Sequence, residues 1–68
     1  MKRIVIVGSG NLAEALARAV ARTESLQLVQ ICARNEARAR AVAAIAGTTW
    51  TCDPQRVAPA DLYILAVS

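Results

Sequence analysis

The chain has no histidine and no phenylalanine, and only two cysteines, three glycines and two prolines among its 68 residues. Without histidine, the usual acid–base side chain near neutral pH and the commonest metal ligand are both missing. Cys32 and Cys52 stand twenty positions apart and form no C-x-x-C pair, so neither a metal site nor a disulfide framework is available. Both read as reduced, half-buried small residues, as in a cytosolic protein. One Trp and one Tyr leave little to stack nucleic-acid bases, despite a net charge of +3. No apolar stretch approaches the ~20 residues of a membrane span. Lys2 and Arg3 before an apolar run mimic a signal peptide, but Gly8, Ser9, Gly10 and Asn11 stop that run early and Glu14 follows.

Two catalytic loops are excluded by single positions. A nucleophile elbow around Ser9 would need glycine at 7 and 11, which are Val7 and Asn11. No lysine follows the glycines, so this is no P-loop. Asp and Glu are scattered, and no acid–base pair or catalytic residue is assigned.

What remains is a globular composition, 56% hydrophobic and 19% charged. The length is about half a typical domain, and a chain so short buries only about 60% of its unfolded surface. Ile4 to Val7 is a β-branched run of the kind that forms a strand covered on both faces. It leads straight into Gly8-Ser9-Gly10-Asn11-Leu12-Ala13 and a helical pattern. A strand, a glycine turn and a helix start, in that order, are what a dinucleotide diphosphate needs. Gly8 allows the tight turn, Gly10 lets a phosphate approach the backbone, and Ala13 is small enough for the helix to pack closely. The free N–H groups of the helix start, with its dipole, attract the anion.

The helix carries Leu12, Leu16 and Val20 with Ala13, Ala17 and Ala19 beside them, and Arg18 and Arg22 opposite, ending near Thr23. Asn11 and Glu14 are spaced for a capping-box-like pair, with Asn11 alternatively facing the ligand. A second strand runs from Leu26 to Ala33, interrupted by Gln27 and Gln30. Asn35 caps a second helix, Glu36 to Ala46, with Ala41, Val42, Ile45 and Ala46 as its apolar side. Glu36 and Arg40 can pair along it, and Gly47 terminates it. Thr48 to Thr51 forms a third strand, Asp53-Pro54 opens a short turn through Val57, and Leu62 to Val67 forms a fourth strand.

Short loops and helical crossovers force parallel pairing, and right-handed crossovers give the order 3-2-1-4. The expected fold class is α/β, a Rossmann-type parallel sheet, N-terminal portion only. Both helices fall on one face, and almost no helix covers the other. The chain is therefore expected to be residues 1–68 of a longer dinucleotide-binding domain, or to cover that face by self-association as a homo-oligomer.

NAD sites usually place Asp or Glu after the second strand to bond the ribose 2′-hydroxyl. Arg34 fills that place, with Asn35 next and Arg38 one helical turn on. A guanidinium grips a 2′-phosphate bidentately where a carboxylate would repel it. NADP is favoured over NAD, and an S-adenosylmethionine site, which also wants an acidic residue there, is disfavoured.

Ile-Val-Gly-Ser-Gly-Asn-Leu-Ala at 6–13, Ala-Arg-Asn at 33–35 and Leu-Ala-Val-Ser at 65–68 resemble the N-terminal domain of the pyrroline-5-carboxylate reductase and deazaflavin-dependent NADP oxidoreductase group. The resemblance implies that Gly8, Ser9, Gly10, Asn11 and Leu12 line the diphosphate. It implies that Arg34 and Asn35, assisted by Arg38, hold the 2′-phosphate. Ala66, Val67 and Ser68 would border the riboses. In the group a helical C-terminal domain, absent here, supplies the small-molecule substrate pocket and dimer contacts. Two functions stay open at this point: the cofactor-binding half of an NADP-dependent oxidoreductase acting by hydride transfer, and a non-catalytic nucleotide-sensing or scaffold module.

Overall fold

A computed structural model describes residues 1–66. Its strands β1 (Lys2–Val7), β2 (Leu26–Cys32), β3 (Thr49–Thr51) and β4 (Leu62–Leu65) form one sheet in the order β3-β2-β1-β4. Every pairing is parallel, as the crossover rule requires. The helices α1 (Asn11–Ala21) and α2 (Glu36–Ala46) pack side by side on one face. The expected Rossmann-type order and the α/β class therefore hold. The fourth-strand expectation extended to Val67, which lies outside the described residues.

Local signals fix the element ends. Asn35 Oδ1 accepts from the Arg38 N–H at 3.0 Å, a helix cap. Gly47 takes the left-handed conformation at φ 69, and the Thr48 N–H then closes on the Ala43 carbonyl at 2.9 Å. Asp53 Oδ1 accepts from Gln55 N–H at 2.9 Å and opens the single turn Pro54–Arg56. Glu36 pairs with Arg40, whose guanidinium also lies 5.6 Å from the Trp50 ring centre.

Small residues build the layer between helices and sheet. Ala13, Ala17, Ala39 and Ala43 are buried against Ile4, Ile6 and Ile31, so both helices approach the strands closely. The buried stripes differ from the sequence expectation. On α1 the stripe is Ala13, Ala17 and Val20, while Leu12 is 61% exposed. On α2 it is Ala39, Val42 and Ala43; Ala41 and Ile45 face outward. Each stripe is two alanines and one valine, small enough for close approach of helix and sheet.

β2 contains an irregularity the sequence did not announce. Ile4 pairs with Leu28, but the next residue, Val5, pairs with Gln30, leaving Val29 as an inserted residue. Strand side chains alternate with period 2, so without the insertion Gln30 would follow Leu28 into the apolar layer. The bulge turns Gln30 to the other face and lets Ile31 enter the core instead.

The second face carries no α-helix among the described residues, and that turn lets a connecting segment cover part of it. Buried Gln30 donates through Nε2 to the Arg56 carbonyl at 3.4 Å and accepts at Oε1 from the Ala58 N–H at 2.7 Å. The Tyr63 hydroxyl accepts from Ala60 N–H at 3.0 Å and donates to the Ala58 carbonyl at 2.9 Å. The connection from β3 to β4 is thereby laid across the sheet, and Val5 beneath it is fully buried. On this face Tyr63 and Leu65 of the edge strand β4 stay exposed, at 45% and 71%.

Gln30→Leu removes both partners of this clasp and leaves the Ala58 N–H and Arg56 carbonyl unpaired. A loss of about 1–3 kcal/mol is expected in chemical denaturation, with faster hydrogen exchange at the Ala58 amide. Unchanged stability and exchange would contradict the clasp.

Candidate functional site

The parallel sheet ends all its strands on one side, and open α/β sheets bind ligands in the crevice there. A cleft of about 920 Å³ occupies that position. One wall is the turn after β1, Gly8 to Leu12; the other is the end of β2, Ala33 to Asn35. Pro54 and Val57 from the β3–β4 connection and Ala66 from the end of β4 complete it.

The strand ends are stitched together by main-chain bonds. Gly8 N–H donates to the Cys32 carbonyl at 2.8 Å, Ala66 N–H to Val7 at 2.8 Å, and Ala33 N–H to Thr51 at 3.1 Å. Gly8 sits at φ +138, a conformation that side chains resist, and a Cβ there would lie 2.3 Å from the Ala66 carbonyl oxygen. Gly8 is thus required by the close approach of β4 as well as by the turn. Gly10 differs: nothing lies within 4 Å of the position its Cβ would take. The space over Gly10 opens outward, as a phosphate cradle demands.

α1 begins with no side-chain cap, because its N-cap residue is Gly10. The capping-box pairing of Asn11 with Glu14 does not form. Asn11 is the first helical residue and lines the cleft, while the Glu14 carboxylate lies 3.5 Å from Arg18 and 3.8 Å from Arg38. The first intrahelical bond runs from the Glu14 N–H to the Gly10 carbonyl at 3.0 Å. Among the described residues, the N–H groups of Ser9, Gly10, Asn11, Leu12 and Ala13 meet no protein acceptor. Such orphan donors, at the positive end of a helix dipole, are suited to an anion. No carboxylate lines the cleft among the described residues, and Arg34 stands exposed on the opposite wall. Free amides, an open glycine and a cleft without carboxylates together fit a dinucleotide cofactor.

The structure brings Gly8, Ser9, Gly10, Asn11, Leu12, Arg34, Asn35 and Ala66 onto this one cleft. Val67 and Ser68, also expected there, lie outside the described residues. Arg38 is not among the cleft-lining residues; its Nε donates to the Ser9 carbonyl at 3.0 Å, beside the glycine turn. Asn35 spends its Oδ1 on the α2 cap and keeps its amide N–H₂ for other partners.

Sequence reasoning missed Val7, Cys32, Ala33, Cys52, Pro54 and Val57 on the lining. Cys32 and Cys52 follow the pattern of strand ends, which the crevice rule would have placed here. Both are free thiols. Burial pushes the Cys32 thiol above its ordinary range, and the neighbouring Cys52 and Asp53 add to the rise. Among the described residues no three His, Cys, Asp or Glu side chains gather to hold a metal, and no helix is long and apolar enough to cross a membrane.

Comparison with known proteins adds the family context. The family described as NADP oxidoreductase, coenzyme F420-dependent, matches residues 3–68. The chain is similar to the crystal structure of a candidate NADP oxidoreductase from Bacteroides fragilis, at 38% identity and a TM-score of 0.90, over 98% of this chain and 26% of that one. It is similar in fold, at 22% identity and a TM-score of 0.84, to a candidate myo-inositol dehydrogenase from Sinorhizobium meliloti, over 97% of this chain and 21% of that one. The chain thus spans about a quarter of the length of these solved chains. No curated protein matches it significantly.

Proposed function

The chain belongs to the family of NADP oxidoreductases described as coenzyme F420-dependent, and from that premise we propose that it forms the NADP(H)-binding part of an oxidoreductase that works by hydride transfer. The observation that carries this reading is the set of unbonded amides at Ser9 to Ala13, opening onto a cleft whose far wall presents Arg34.

Each residue has a distinct task. The amides of Ser9, Gly10, Asn11 and Leu12 hold the diphosphate, and Gly10 leaves it room. Arg34 grips the adenosine 2′-phosphate with its guanidinium fork, and the Asn35 amide adds a donor. Ala66, followed by Val67 and Ser68, borders the riboses on the β4 side. The cofactor, when bound, supplies or accepts the hydride; the chain orients it and keeps it fixed. A small-molecule substrate completes the reaction, and none of the residues here is assigned to proton transfer. Nothing in the cleft favours a purely sensing or scaffold role over this one.

Calorimetric titration with NADPH and NADH tests the reading. NADPH is expected to bind at least about tenfold more tightly, the worth of one charge-assisted contact. Equal affinities would remove the NADP assignment, and binding of neither would remove the dinucleotide site.

A further inference from the structure

The connection from β3 to β4 contains one regular piece, the single turn Pro54–Arg56. Two of its residues, Pro54 and Val57, reach the cleft wall. Its later part is fastened elsewhere: the Tyr63 hydroxyl holds Ala58 and Ala60, and Arg3 Nε donates to the Pro59 carbonyl at 3.3 Å. Within residues 54–57 the bonds among the described residues are local, with one exception. The Gln55 and Arg56 N–H groups both turn back to Asp53, at 2.9 Å each. The exception is the Arg56 carbonyl, which accepts from Gln30 Nε2 at 3.4 Å. The other end of the same amide accepts from the Ala58 N–H at 2.7 Å, the firmer of the two bonds. One side chain thus brackets Val57, holding the residue before it and the residue after it.

Gln30 is buried and does not line the cleft. It stands about 7 Å back along β2 from Cys32, two residues at 3.3 Å each, so it acts on a ligand only through what it holds. Its reach depends on the Val29 insertion, which turns it to the face that the connection crosses. An apolar side chain at 30 would cover the sheet as well, without the cost of burying an amide. What the amide adds is placement: a donor and an acceptor at fixed separation select one position of the 56–58 backbone. Val57, extended at φ -64 and ψ 130, has no hydrogen bond of its own among the described residues to fix it.

We infer that Gln30 is a positioning residue of the cofactor cleft: its two-ended hold on Arg56 and Ala58 sets Val57, beside Pro54, as the apolar wall for the adenosine half of the dinucleotide. The inference rests on the dinucleotide reading of the cleft, in which Arg34 marks the adenosine end.

The test uses the full chain as wild type, Gln30→Met, Gln30→Asn, Val57→Ala and the double variant Gln30→Met/Val57→Ala, at a temperature where melts show each of them folded. Methionine matches glutamine in length but offers no donor and only a weak acceptor. Three probes are titrated: NADPH, adenosine 2′,5′-bisphosphate, which is the adenosine half alone, and inorganic pyrophosphate, which has no base. Gln30→Met is expected to weaken NADPH and the bisphosphate by the same factor, about 3- to 10-fold for one misplaced apolar contact. Pyrophosphate should stay within about twofold, and Val57→Ala should show the same pattern. Because Val57→Ala removes the contact itself, adding it to Gln30→Met should cost less than about twofold more. Gln30→Asn keeps an amide but is one methylene short of spanning both partners; it should show the same order of probes at smaller amplitude, and it carries the test should Gln30→Met not fold. A lower melting temperature with all affinities unchanged would reduce Gln30 to a stabilising clasp and overturn the proposal. Fully additive losses in the double variant would place its effect elsewhere than Val57 and overturn it too. If the wild type binds pyrophosphate but neither adenosine ligand, the dinucleotide reading of the cleft is what fails, and the proposal falls with it.

Discussion

Gly8→Ala is expected to unfold much of the chain, whereas Gly10→Ala, two residues on, should leave the fold standing and abolish tight binding. The new methyl at position 8 would meet the Ala66 carbonyl oxygen at 2.3 Å and its carbon at 2.9 Å, both main-chain atoms. Neither can swing aside as a side chain could. Ala66 is held by its N–H bond to Val7 at 2.8 Å, and Gly8 by its own to Cys32 at 2.8 Å. Relieving the clash breaks one of these links and parts β4 or β2 from β1. The φ of +138 adds strain for any L side chain. Overpacking and strain each cost about 1–3 kcal/mol, and stability of about 0.05–0.15 kcal/mol per residue leaves a chain this short little reserve. At Gly10 the added methyl meets no protein atom, so the change in stability should stay near about 1 kcal/mol, the loss of a glycine at a helix cap. The methyl would instead occupy the space proposed for the diphosphate. Denaturant melts and NADPH titrations of both variants check the contrast; a stable, folded Gly8→Ala would contradict the strand-end geometry.

Arg34→Asp should invert cofactor preference. Arg34 is exposed at the cleft wall, with no ion pair to another residue among those described, so its removal should disturb the fold little. NADPH loses a bidentate partner and gains a repelling carboxylate. A loss of about 100-fold is expected, since charge-assisted bonds contribute about 1.5–3 kcal/mol before the repulsion is added. NADH has a ribose 2′-hydroxyl in place of the phosphate, and an aspartate can accept its hydrogen bond. Its affinity should hold or rise. Parallel losses for both cofactors would place Arg34 outside the 2′-phosphate subsite.

The features legible in the sequence were those written within a few neighbouring residues. Asn35, Gly47 and Asp53 announce caps because capping is a contact between near neighbours. Gly8 and Gly10 after Ile4–Val7 announce the turn for the same reason. Strand order followed from loop lengths and crossover handedness alone. What escaped depended on partners far along the chain. The Val29 bulge exists because Gln30 finds Arg56 and Ala58 on the crossover, a pairing no local pattern encodes. Leu12 looked like core by its spacing, yet its place at the mouth of the cleft leaves it exposed. Arg38 also reaches the Ser9 carbonyl, a contact 29 residues along the chain that no local pattern encodes.

Amide chemical-shift mapping of the labelled chain during NADPH titration is the most direct measurement. The largest movements should fall on the N–H groups of Ser9, Gly10, Asn11, Leu12 and Ala13, with a second group at Arg34 and Asn35. Shifts that spare residues 9–13, or that centre on the shallow depression at the opposite strand ends around Lys2 and Ser25, would contradict a diphosphate held by bare helix-start amides.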